Sequence, residues 1–312
     1  MKGIVCETPA RSVPVPYTYA PNSVKPRFTA QSLLPTLESE PCDLIIVDML
    51  DTDREEMRQL AGIGIPIVSL DDRGEGRLFA NCLINILIEE PDPGHLPPHI
   101  RLLEGGKYVP LDPQFIQAHR SYRSDFQGPI QNVFVALGGA DAAGLSLKVA
   151  EALSHLPELA QVEFLCGPAY PHRESLHAIL QKAPWRSALL SGLPTLIEKY
   201  RWCDLAIVAG GLTMYEVCCV GTPALAVCQS IDHQIELAER LTRLGSMQTV
   251  GEGRKATLEQ ITDAVHTLSC RPDIRRALSR VGPEIVDGHG TDRVTEALIA
   301  AARKHSTPGR NN

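Results

Sequence analysis

No stretch of this sequence approaches the roughly 18–20 consecutive apolar residues needed to cross a bilayer as a helix. The N-terminus has one Lys but no continuous apolar core, so no secretory signal and no transmembrane segment are expected. Positive charge is scarce: 30 Lys and Arg stand against 37 Asp and Glu, a formal net charge of -7. That balance argues against a general nucleic-acid partner. The nine cysteines contain no CxxC pair, and Cys218 and Cys219 are adjacent in one expected helix. This is cysteine used as a small apolar residue in a reduced, cytoplasmic protein. HExxH and GxSxG are absent. No GxGxxG follows a strand, which ranks a Rossmann-type dehydrogenase low.

What is present is a repeating alternation of short apolar runs and helical spacing. With 312 residues, 44% of them hydrophobic, the chain is long enough for one large or two medium domains. In the first half, strands are expected at Met1–Cys6, Asp43–Val47, Ile65–Leu70 and Cys82–Ile88, and helices at Arg27–Ser39 and Thr52–Gly62. Glu7–Pro26 carries too many prolines for regular structure. Glu89–Pro113 reads as a surface connection and Phe115–Gln127 as a linker or exposed helix. In the second half, strands are expected at Asn132–Leu137, Val162–Cys166, Ala188–Leu190, Asp204–Val208 and Leu225–Val227. Helices are expected at Leu145–Leu156, Arg173–Leu180, Thr195–Trp202, Thr213–Val220, from Asp232, at Leu258–Leu268, Ile274–Val281 and Arg293–Lys304. Strand–helix alternation means βαβ units and parallel sheets. The fold class is therefore α/β, with two Rossmann-like domains: 1–127, 128–290, and a last helix with a loose tail at 291–312.

Two glycine turns sit between a strand and a helix, where ligands of such sheets bind. Gly210-Gly211 lets a ligand approach the backbone, and the following helix points unpaired N–H groups and a partial positive charge at it. A diphosphate suits that place; Thr213 adds a hydroxyl donor and Glu216 a carboxylate for a ribose diol. The plainer reading is a βα unit with Thr213 as cap and Glu216 as a first-turn dipole partner. Gly138-Gly139-Ala140-Asp141 is the second turn, with Asp141 as a ligand group or an N-cap. Asp48, Asp71 and Asp72 end strands in the first half and are either general bases or loop caps. Asp51-Thr52-Asp53 matches a metal-binding DxD string, but its spacing to Glu55 and Glu56 is that of a helix cap.

GGLTMYE, VGTPALAV and DHQIELAERL, read together, resemble the C-terminal half of the UDP-sugar-using GT-B enzymes. The spacing is similar to the lipid II-forming N-acetylglucosaminyltransferases of glycosyltransferase family 28. It is closer to the pseudaminic acid pathway UDP-sugar hydrolases and the spore coat polysaccharide proteins. The resemblance implies a nucleotide-sugar-binding set of Gly138, Gly139, Asp141, Gly210, Gly211, Leu212, Thr213, Glu216, Asp232 and Gln234. The glycine turn and Thr213 would hold the diphosphate, Glu216 the ribose and Gln234 the sugar. It further implies a UDP-sugar donor, a sugar or lipid-linked acceptor, and neither cofactor nor metal. Ala140 stands where Ser is usual, and Leu237 where Asn is frequent. The hydrolases' GxGHxxR signature is missing, so the N-terminal domain reads as incomplete, and Asp48, Asp71 and Asp72 stay candidate general bases or loop caps. Three readings stay open: a glycosyltransferase-like enzyme of surface polysaccharide biosynthesis, a UDP-sugar hydrolase, and a non-catalytic or truncated nucleotide-sugar binder.

Overall fold

The computed structural model describes residues 3–5, 42–122, 125–141 and 143–305. The irregular segment expected at Glu7–Pro26, the helix at Arg27–Ser39 and the tail beyond 305 lie outside the described residues. The chain divides into two compact units. One holds the described residues through Tyr108 together with the chain from Thr291; the other runs from Val109 to Gly290.

The first unit contains β1 (Gly3–Val5), β2 (Ile45–Asp48), α1 (Arg54–Ala61), β3 (Ile67–Leu70), β4 (Cys82–Asn85) and β5 (Arg101–Glu104). The strands lie in the order β1-β2-β3-β4-β5; β1 pairs antiparallel with β2, and the others are parallel. The strands β2, β3 and β4 are largely apolar on both faces, as strands buried on both sides must be. Ile45, Val47, Ile67 and Leu83 face one cluster with Met57 and Leu60 of α1. Leu44, Ile46, Val68, Cys82 and Ile84 face the other.

The second unit opens with α2 (Gln114–Arg120) and β6 (Asn132–Ala136), then α3 (Leu145–Leu153), β7 (Gln161–Leu165), α4 (Arg173–Leu180) and β8 (Arg186–Leu190). It continues with α5 (Ile197–Trp202), β9 (Leu205–Val208), α6 (Leu212–Val220), β10 (Ala224–Cys228) and α7 (Asp232–Arg243). It closes with β11 (Gln248–Glu252), α8 (Leu258–Cys270) and α9 (Pro272–Ile285). α10 (Gly290–His305) then returns to the first unit, where Val294, Ala297, Leu298, Ala301 and Ala302 cover the second face of that sheet. Their spacing of three and four residues puts them on one stripe.

The six strands of the second unit are all parallel, in the order β11-β10-β9-β6-β7-β8. One face carries Val133, Val135, Val162, Phe164, Leu205, Ile207, Leu225 and Val227 against α3, α4 and α8. Toward the opposite face the strands offer Ala206, Ala224 and Ala226 between larger residues, all fully buried. α6 is apolar nearly all round, with Met214, Tyr215, Val217, Cys218, Cys219 and Val220 buried. Such a helix has neighbours on every side; here α2, α5 and α9 pack on it.

Several expectations are corrected. β5 lies inside the stretch read as a surface connection, and β11 was not anticipated. Both are edge strands, half-exposed and with a broken apolar pattern. α2 is no exposed linker: Phe115 and Ala118 are buried, and it goes with the second unit rather than with a domain ending at 127. Its apolar positions are too few to announce a core-facing helix. α1 starts later than Thr52; Asp53 is its N-cap, accepting from Glu55 N and Glu56 N at 2.8 and 3.0 Å.

The α6–α9 contact depends on one glycine. A methyl group at Gly282 would stand 2.7 Å from Cys218 O and 2.9 Å from Cys218 Cα, both backbone atoms that cannot swing aside. Gly282→Ala is therefore expected to destabilise the protein by about 1–3 kcal/mol through forced separation of the helices. Urea unfolding measures it; a loss below about 0.5 kcal/mol would mean the helices part freely.

Candidate functional site

In the second sheet the chain leaves β6 toward β7 and β8, then returns to the other side of β6 for β9, β10 and β11. The order reverses between β6 and β9, which pair directly. Loops diverge at such a point, and the crevice beyond the strands' carboxyl ends is where these sheets bind ligands. The two loops that meet there are the two glycine turns, Leu137–Gly144 after β6 and Ala209–Gly211 after β9.

Each turn leads into a helix, but the helix ends differ. At the start of α3, Asp141 accepts from Leu145 N at 2.9 Å and Ser146 N at 2.7 Å. The residue is buried and holds a left-handed φ of 39°. Gln229, at the end of β10, keeps it there: Nε2 donates to Asp141 Oδ1 and to Leu137 O, and Oε1 accepts from Ala143 N. The dipole of α3 is thus met by an internal carboxylate. The Asp141 oxygens are engaged within the protein, and an arriving anion would meet like charge there. Gly138 and Gly139 remain as the open part of that turn.

α6 has no such cap. Gly211 occupies its N-cap position with φ 67° and ψ -145°, and no side chain caps the helix. That backbone conformation is essentially restricted to glycine. The first-turn N–H groups therefore face outward without a side-chain acceptor. Thr213 Oγ donates to Gly210 O at 2.8 Å, so its hydrogen is already used inside the turn. Gln234, in the first turn of α7, lies over Gly210: a methyl group there would meet Gln234 Cγ, Cδ and Oε1 at 2.5–2.7 Å. Gln234 Oε1 is buried and has no hydrogen-bond partner among the described residues. A buried unpaired acceptor costs free energy unless something else completes it. Leu212 and Asp232 are exposed at the first residues of α6 and α7.

Glu216 is half-buried, just over one turn past Leu212 at the start of α6. Its Oε2 accepts from the Tyr200 hydroxyl of α5 at 2.8 Å. Burial pushes the Glu216 carboxyl above its ordinary value, and the tyrosine hydrogen bond opposes part of that rise.

In the first unit the three strand-end aspartates separate. Asp72 is buried; Oδ1 accepts from Thr52 N and Gly74 N, and Oδ2 from Thr52 Oγ and Ser69 Oγ. Asp71 Oδ1 accepts from Ile86 N and Leu87 N, both at 2.7 Å, and from Ile88 N at 3.4 Å. Burial raises the Asp71 carboxyl, with those backbone hydrogen bonds working against the rise. Asp48 is exposed. Thr52, the middle of the DxD string, serves Asp72, and Asp53 caps α1. Among the described residues no three His, Cys, Asp or Glu side chains are grouped to hold a metal ion. No described helix is long and apolar enough to cross a membrane.

Tyr200 and Gln229 escaped sequence reasoning. Gln229 directly follows the apolar run of β10, a place where a polar residue leaves the strand on the ligand side. Tyr200 carried no signal, since a tyrosine in a short amphipathic helix reads as core.

No protein-family model matches the chain. Over 281 residues it is 27% identical to the spore coat polysaccharide biosynthesis protein SpsG of Bacillus subtilis, covering 88% of this chain and 82% of that protein. Over 172 residues it is 23% identical to a UDP-N-acetylglucosamine–N-acetylmuramyl-(pentapeptide) pyrophosphoryl-undecaprenol N-acetylglucosamine transferase of Geobacter sulfurreducens. That match covers 54% of this chain and 47% of the transferase, about half its length. The crystal structure of Acinetobacter baumannii MurG aligns at a TM-score of 0.63 and 17% identity, over 87% of this chain and 77% of that one. The fold is therefore that of the GT-B glycosyltransferases. The resemblance to spore coat polysaccharide proteins and family 28 transferases read from the sequence is borne out.

The raised Glu216 carboxyl has a consequence for stability. A group that binds its proton more tightly when folded penalises the folded state wherever it is ionised. Glu216→Gln keeps an acceptor for Tyr200 and removes the charge. It is expected to melt higher than the wild type above the raised folded pKa. The margin should narrow as pH falls from there toward the ordinary value of 4.5, and vanish below it. Melting scans from acid to neutral pH measure this. A Gln variant that melts lower at neutral pH would mean that the ionised carboxylate stabilises the fold.

Proposed function

We propose that the second unit binds a nucleotide sugar, a UDP-sugar, with its diphosphate on the open N-terminus of α6. The chain then acts as a metal-independent, glycosyltransferase-like enzyme of surface polysaccharide or glycoconjugate biosynthesis. The observation that carries this reading is the asymmetry at the strand-order reversal. Of two helix N-termini there, that of α3 holds Asp141, and that of α6 has no side-chain cap among the described residues, with the Gln234 oxygen, unpartnered among those residues, beside it. The similarity to a spore coat polysaccharide protein and to a UDP-N-acetylglucosamine-dependent transferase supports the choice of substrate class.

In this reading an acceptor hydroxyl, on a sugar or a lipid-linked group, attacks the anomeric carbon. The bond from that carbon to the diphosphate oxygen breaks, and the nucleoside diphosphate leaves with the electron pair. N–H groups of Gly211, Leu212 and Thr213 meet the growing charge without reorganising, which is what lowers the barrier. The acceptor hydroxyl releases its proton to water as the new bond forms. Water in place of the acceptor would make the same site a UDP-sugar hydrolase. The eight described cysteines are all free, which fits a cytoplasmic setting.

Calorimetric titration with UDP tests the donor site. Micromolar binding is expected, weakened by about 1–3 kcal/mol in Glu216→Ala, the loss of a charged hydrogen-bond partner. Absence of binding to UDP, or equal affinity in the variant, would remove the site from α6.

A further inference from the structure

Glu216 does not stand alone. Tyr200 reaches it from another helix, and its own position is fixed at several points. Its side chain is fully buried. Its ring meets Phe134 of β6 edge-on, with centroids 5.8 Å apart and planes at 73°. Its backbone carbonyl accepts from Thr222 Oγ at 2.8 Å. The hydroxyl therefore has little freedom, and it points at Glu216 Oε2. Burial, and then the neighbouring carboxylate, push the phenol well above its ordinary value, so it remains a donor at every pH the protein meets. Glu216 Oε1 is not among the buried unpaired oxygens, and no side chain or backbone group of the described residues donates to it.

We propose that Tyr200 is the positioning residue for Glu216: its hydroxyl commits Oε2 to the protein and leaves Oε1, in a fixed plane, to read the ribose hydroxyls of a nucleoside diphosphate. This rests on the nucleotide reading above and adds a specificity to it. A freely turning carboxylate can follow whichever hydroxyl is present. A carboxylate held by one oxygen cannot, so a ligand lacking the 2′-hydroxyl leaves Oε1 without its partner. The site is thus selective for ribonucleoside over 2′-deoxyribonucleoside diphosphates, and the selectivity resides in Tyr200 as much as in Glu216.

The test is calorimetric titration of UDP and 2′-deoxy-UDP into the wild type, Tyr200→Phe, Glu216→Ala and the double variant. The wild type is expected to prefer UDP by about tenfold, as for one hydrogen bond to a charged acceptor. Tyr200→Phe keeps the ring against Phe134. It should stay folded, with a cooperative melting transition, and lose most of that preference. In the Glu216→Ala background the same change should have no further effect on UDP affinity, since the tyrosine acts through the carboxylate. A Tyr200→Phe ratio equal to that of the wild type, or a loss of UDP affinity as large with Glu216 absent as with it present, overturns the proposal. So does a wild type that binds both nucleotides equally, which requires no variant to fold and leaves the nucleotide reading standing. A wild type that binds neither removes both.

Discussion

The site depends on a conflict between two like dipoles. A parallel sheet whose strand order reverses brings the helices after β6 and β9 to one end, each with a partial positive charge there. An internal carboxylate, Asp141, resolves it for α3, held in a left-handed conformation by Gln229 and by the N–H groups it accepts. α6 is left as the one of the pair open to an outside anion. The asymmetry also assigns work to the two glycine turns. The one at Gly138 carries its own negative charge close by, and the one at Gly210 carries an unpaired amide oxygen.

The same economy of buried polar groups runs through both units. Lys148 donates to three carbonyls, Gly253 O, Arg254 O and Ala256 O, where the chain leaves β11. Arg275, fully buried, donates to Leu268 O and Ser269 O at the end of α8 and to Gly128 O ahead of β6. In the first unit Asp72 gathers Thr52, Ser69 and Gly74, and Asp71 gathers the turn after β4. Each charge serves orphan backbone groups that a loop would otherwise bury unpaired. Tyr200 and Glu216 follow the same rule, except that one carboxylate oxygen is left over, and a leftover acceptor at a strand-order reversal is what a ligand can use.

Much of this was legible in the chain itself. The buried strands of both sheets announce themselves as apolar runs, because a strand covered on both faces has no polar position to offer. α10 is written in the spacing of Val294, Ala297, Leu298, Ala301 and Ala302. The glycine turn and the helix after it are local features, so Gly210, Gly211 and Glu216 could be named before any coordinates. Edge strands β5 and β11 were not legible, since half-exposed strands need no apolar pattern. α2 was read as a linker or an exposed helix because it buries only two side chains, Phe115 and Ala118.

Tertiary structure alone decided what the polar residues do. Asp48, Asp71 and Asp72 look alike at the ends of their strands. Asp48 is exposed, Asp71 accepts from backbone N–H groups, and Asp72 accepts from backbone and two hydroxyls, according to which neighbouring loop lies within hydrogen-bond reach. Asp141 became a cap, and the Thr213 hydrogen went to Gly210, for the same reason. Tyr200 stands sixteen residues from Glu216 and Gln229 eighty-eight from Asp141, and nothing in local sequence relates them. Periodicity and turn chemistry are properties of neighbours along the chain, so the sequence by itself determined the buried strands, the strongly periodic helices and the glycine turn. Hydrogen-bond partnership between side chains is a property of neighbours in space, so only the packed fold could decide which groups are spent and which remain for a ligand.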